Sequence, residues 1–192
     1  MISYVAWSSA RVVFGHERIE AIKSGTIDAQ EHAHFLLQQS RVELPGEWVA
    51  TSRTLIEKGT GSEASAIKLL ERAVEADPYN YSAWTLLAFA QTRLAGRLNA
   101  EATQSLLRSI ELCAYCEESL LRWRLTFVLN HWEDASERLR IGVFSGADFL
   151  RWWHLDGEFL SQMREFAKQR EIPYDEYRRK IDTPVRPHEI GR

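Results

Sequence analysis

Two cysteines are all this chain of 192 residues contains, Cys113 and Cys116, with no second pair to complete a four-sulfur zinc site. Apolar runs of about 18 residues are missing too, so no segment qualifies as a membrane-spanning helix. Positive charge is not in excess: 24 Lys and Arg face 27 Asp and Glu, a formal net charge of −3. That balance argues against nucleic acid as a partner, because a general grip on it needs clustered cations to displace counterions. Arg138-Leu139-Arg140 and Arg178-Arg179-Lys180 are basic, but Glu133, Asp134, Glu137, Asp175 and Glu176 sit beside them and read as surface charge pairs. No His-Glu-x2-His metal motif, nucleophile elbow or phosphate loop is present. Gly59-Thr60-Gly61 has neither the lysine nor the preceding strand of a P-loop. Glu117-Glu118 and Glu133-Asp134 are adjacent pairs that diverge on a helix. His32 and His34 flank Ala33 and point to different sides, and His16-Glu17 and His188-Glu189 read as solvated. No catalytic residue, metal ligand or cofactor is expected.

What is present is a recurring pattern. Ala33-x3-Leu37-x2-Ser40-x4-Pro45 is followed by Ala66-x3-Leu70-x2-Ala73-x4-Pro78 after 33 residues, and by Ala102-x3-Leu106-x2-Ser109-x4-Ala114 after 36 more. A small, a large apolar and another small residue at this spacing share one helical face, where the small ones let a second helix approach closely. A following proline stops the helix by lacking the next N–H. Periods in the mid-thirties are the mark of stacked helical hairpins.

After Pro78 comes Trp84-x2-Leu87-Ala88 at the start of a new helix. Over Ser65 to Leu112 the chain resembles the tetratricopeptide repeat family, whose first helix carries Trp-x2-Leu-Gly-x2-Tyr and whose second carries Ala-x3-Phe, then Ala and Pro. Ala88 stands for the family's glycine, Gln91 for its tyrosine and Ala114 for its third proline, while Gly96 to Asn99 lengthens one turn. The first copy matches in its second helix only, since Glu47 to Glu57 lacks the Trp-x2-Leu-Gly signature. The resemblance implies an all-α, right-handed α-solenoid of helical hairpins with an irregular C-terminal helical cap. Residues 1–131 would form the repeats, 132–182 the cap and 183–192 a loose tail.

Helices are expected over Ser3–Lys23, Asp28–Arg41, Glu47–Lys58, Ser62–Ala76, Ser82–Leu94, Asn99–Leu112, Glu117–His131, Trp132–Arg140, Ala147–His154, Glu158–Gln169 and Tyr174–Lys180. Thr26 or Asp28 is the expected cap of the second helix, Ser62 of the fourth and Asn99 of the sixth. Gly142, Gly146 and Gly157 are expected to divide the last third into short pieces. At the N-terminus, Ile2 to Phe14 is apolar and aromatic without the basic start of a secretory signal. Two readings fit it: Met1 opens an ordinary first helix, or it stands in place of an upstream anchor. The compartment stays open between cytoplasm and periplasm.

The family resemblance implies a protein or peptide partner on the concave surface. By match, Ser82, Thr85, Phe89 and Thr92 would line it, followed by Leu121, Leu125 and Val128 from the next hairpin. These residues lack the lysines and asparagines with which some relatives clamp a carboxylate, so an apolar or helical partner is expected instead. By analogy of fold the chain looks like an accessory factor of bacterial envelope or surface-polysaccharide assembly, and the ends of such an array invite self-association.

Two other features compete with this reading. Trp123, Trp132, Trp152 and Trp153 crowd the final third with Phe127, Phe144 and Phe149. They either fill an irregular cap or, through Trp152 and Trp153, offer a patch to a protein or a carbohydrate. Cys113 and Cys116 fall at a helix C-terminus, where the dipole disfavours thiolates. They read first as structural thiols, with a disulfide or a metal or redox site as alternatives.

Overall fold

The computed structural model describes residues 17–38, 45–59 and 61–181, and among them every regular element is a helix. Most of the first expected helix, the end of the second at Ser40 and Arg41, Thr60 and the tail from Thr183 lie outside the described residues. The chain divides into two compact units between Gly96 and Arg97.

In the first unit, residues 17–23 are helical and Gly25 closes them at φ 77°, a left-handed conformation that favours glycine. Then come α1 (Ala29–Gln38), α2 (Pro45–Lys58), α3 (Glu63–Ala76) and α4 (Tyr81–Ala95). Asp28 caps α1 as expected, accepting from the N–H groups of Gln30 at 2.8 Å and Glu31 at 3.0 Å. Those two bonds, Glu31's first, hold its carboxyl below the usual range. α4 starts one residue before the expected Ser82, because Asn80 accepts from Ala83 N–H and fixes the start at Tyr81. Helix α1 packs on α2 and α3, and α2 on α3 and α4. The small faces predicted from the repeat make these contacts: Ala33, Ala66, Leu70 and Ala73 are buried in one core with Ile22, Trp48, Leu55 and Leu87. Trp84 is half-buried against that core and its indole N–H donates to Pro78 O at 3.0 Å.

The second unit holds α5 (Ala100–Leu112), α6 (Glu118–Asn130), α7 (Glu137–Trp153), α8 (Gly157–Gln169) and α9 (Tyr174–Arg179). Asn99 caps α5 through Ala102 N–H at 2.9 Å, and Ala102, Leu106 and Ser109 are buried, as the third repeat copy predicts. Two expectations fail here. Residues 131–134 form a turn, so the helix expected from Trp132 starts at Glu137, where Ser136 caps it through Leu139 N–H. Nor do Gly142 and Gly146 break the chain: α7 runs through both for 17 residues. Their missing side chains serve packing. A Cβ on Gly146 would stand 3.1 Å from Leu121 Cδ2, and one on Gly142 would lie 3.5 Å from Ile110. Helix α7 packs on α5, α6, α8 and α9. Four aromatic residues pack together around it: Phe144 meets Tyr174 at 4.9 Å and Trp132 meets Tyr177 edge-on at 4.8 Å.

An arginine seals the end of three helices. Arg72 donates to Leu36 O at 3.0 Å and Leu37 O at 3.1 Å in the last turn of α1. Arg93 donates to Ile56 O of α2 at 2.7 Å while pairing with Glu63. Arg124, 2% exposed, donates to Ser109 O and Oγ and to Cys113 O at the end of α5. The last carbonyls of a helix have no partner within it, and a cation there complements the dipole.

Candidate functional site

Burial sorts the residues expected in the groove. Thr85 and Thr92 are buried and donate their hydroxyls to Tyr81 O and Ala88 O on their own helix. Ser82 is half-buried, and Phe89 packs partly against the first unit's core with the Arg93 guanidinium 5.9 Å from its ring. Leu121, Leu125 and Val128 are buried in the second unit, Leu121 beneath Gly146. A side chain without exposed surface cannot be touched by a partner, so Ser82 and Phe89 are what this set offers. Helical spacing alone does not distinguish a groove face from a core face.

A different surface stands out in the second unit. Tyr115 stacks on Phe149 with centroids 4.9 Å apart, and Phe149 stacks on Trp153 at 5.6 Å. Tyr115 is 43% and Trp153 40% exposed. Trp152 is half-buried, its indole N–H donating to Asp148 at 3.2 Å, so the adjacent tryptophans do diverge. Leu155, 81% exposed, follows at φ 53°, where glycine is favoured and another residue costs about 1 kcal/mol. The turn around it is fixed. Asp156 N–H donates back to Leu150 O, six residues earlier, and the buried Asp156 carboxylate meets Arg122 Nε at 2.7 Å. An apolar side chain is thus held in water by a rigid, locally strained turn.

Tyr115 belongs to the turn that carries the cysteines. Cys113 and Cys116 are joined by a disulfide rather than standing as free thiols. In this state they offer no thiolate to a metal. No group of three or more His, Cys, Asp or Glu side chains among the described residues could hold a metal ion, and no described helix is long and apolar enough to cross a membrane. The basic clusters are engaged as charge pairs: Arg138 with Glu111 at 2.6 Å, and Lys180 with Glu137 and Glu176 at 3.1 and 3.0 Å.

Sequence reasoning missed one buried pair. His32 Nε2 lies 2.8 Å from Glu47 Oε1, both side chains almost wholly enclosed, with Arg18 3.7 Å from the same oxygen. Glu47 sits in the first turn of α2, where the dipole favours an anion. Fifteen residues separate the partners, so only packing of α1 on α2 brings them together. The pair ties the two helices.

Comparison of the chain with protein-family models, with curated proteins and with solved structures finds no match. The fold defines the class, an all-helical protein whose helices pack mainly on their neighbours in sequence.

Proposed function

We propose that the protein is a non-catalytic scaffold of the tetratricopeptide repeat type that binds another protein. Packing of each helix on its next and next-but-one neighbour in the first unit supports the repeat reading, as does burial of the small-large-small face. On this reading the hairpins follow a right-handed superhelix. One observation carries the binding role: a ridge of stacked Tyr115, Phe149 and Trp153 rings whose outer two are exposed, with exposed Leu155 two residues further along the chain. Large apolar side chains in water lose hydration cost on being covered, and aromatic anchors carry much of the energy of protein interfaces. Rigidity adds to this, because side chains fixed before binding lose little entropy on contact. The partner surface that covers it is apolar.

A photo-crosslinking residue at position 155 tests this in cells of the native source. One recurrent protein adduct, lost when Trp153→Ala is added to a chain of unchanged circular dichroism, is the expected result. Adducts that survive Trp153→Ala would show that the aromatic ridge does not hold the partner. Absence of any protein adduct would overturn the proposal.

A further inference from the structure

Away from the ridge, α7, α8 and α9 border a cleft of about 260 Å³ lined by Asp148, Arg151, Gly157, Ser161, Arg164 and Arg178 among others. Each helix contributes one arginine: Arg151 from α7, Arg164 from α8 and Arg178 from α9. Against these three stand Asp148, which accepts from Trp152, and the adjoining Asp175. Asp175 is held by Arg164, with Nε at 3.0 Å, and lies 4.0 Å from Arg178. Arg151 makes no ion pair among the described residues; its guanidinium lies 5.2 Å from the Trp152 ring. The cleft is therefore cationic, and one of its cations is not neutralised.

A second observation points the same way. Gly157, Leu160 and Ser161 belong to the start of α8, so the positive end of a 13-residue helix borders the cleft. The capping position does not close that end, because Asp156 makes no capping bond and turns its carboxylate to Arg122. Gly157 leaves open space where a Cβ would stand. Gly157 N–H is engaged with Leu155 O and Leu160 N–H with Asp156 O, so the helix end adds its dipole rather than these donors, and a positive helix end beside guanidinium groups suits a bound phosphate.

We propose that this cleft binds the phosphate group of a small phosphate monoester. Arg151 offers the dianion a guanidinium that makes no ion pair among the described residues, and a tetrahedral dianion with three terminal oxygens can also draw on Arg164 and Arg178, which share the single carboxylate of Asp175. The volume lies just under the range of about 300–1,000 Å³ typical of sites for drug-sized ligands, so the ligand is small. Beyond the phosphate, Ser161 and Asp148 are placed to meet its hydroxyl groups. This inference is independent of the ridge and of the scaffold reading.

Isothermal titration of the full chain at low salt, with inorganic phosphate, glycerol phosphate and neutral glycerol in turn, tests it. Phosphate should bind saturably, glycerol phosphate more tightly, and glycerol not at all. Arg151→Gln should weaken both phosphates at least about tenfold, the usual loss of one charge-assisted contact. Ser161→Asp, which sets a carboxylate at the rim, should do the same if Arg151→Gln does not fold. Equal affinity in both variants would place the ion elsewhere and overturn the proposal, as would no saturable binding. Sedimentation with phosphatidic acid vesicles separates the source: binding to vesicles but to neither soluble phosphate would also overturn it.

Discussion

Tyr174 packs its ring against Phe144 inside the second unit while lining the arginine-rich cleft. Burial pushes its phenol up to about 12, with Asp175 adding to the effect and Arg164 and Arg151 opposing it. The folded state thus holds this proton more tightly than the unfolded chain does. The corresponding stability is complete below the ordinary tyrosine value near 10 and drains away as the pH climbs from there to about 12. Roughly 3 kcal/mol is at stake, from about 1.4 kcal/mol for each pH interval of one. Melting temperature followed between about pH 9 and 12 should fall more steeply for the wild type than for Tyr174→Phe, which has no proton to lose. Parallel curves for the two proteins would show that the phenol is not buried as described.

At the scale of elements, the two glycines inside α7 give opposite expectations for one substitution. Glycine costs a helix up to about 1 kcal/mol relative to alanine. At Gly142 the added methyl meets Ile110 at an ordinary 3.5 Å, so Gly142→Ala should stabilise by about 0.5–1 kcal/mol. At Gly146 it meets the buried Leu121 at 3.1 Å, so Gly146→Ala should destabilise by about 1 kcal/mol, overpacking outweighing propensity. Urea denaturation of the two variants decides both signs. The same glycines show where the sequence is ambiguous, since a residue type that stops helices also lets them touch. Two caps were readable because they are local: Asp28 and Asn99 act on N–H groups two or three residues away, whereas the cap expected at Ser62 fails because its hydroxyl donates to Gln30 instead. The apolar face of each repeat was readable too, as Ala66, Leu70 and Ala73 show. Whether Thr92 or Val128 faced solvent or core depended on the helix laid against it, which no local pattern contains. The cleft was least legible of all, because Arg151, Arg164 and Arg178 each look like a solvated surface charge until three helices meet.

For the whole molecule, division between Gly96 and Arg97 leaves the first unit a core assembled from its own helices, with Ile22, Leu55, Leu70 and Leu87 among its members. Residues 1–96 and 97–192 made as separate chains should each show strongly helical circular dichroism and a cooperative melt. A fragment that gives a random-coil spectrum would show that its unit does not fold by itself. The arginine seals carry a consequence for how such a chain is made. Arg72 reaches back 36 residues to the end of α1, and Arg93 reaches back 37 to the end of α2. Each fastening closes a loop of about one hairpin, and contacts of short sequence separation form early and fast. During synthesis the carbonyls of one helix end wait only until the next hairpin leaves the ribosome. The first unit can therefore assemble in the order in which it is translated.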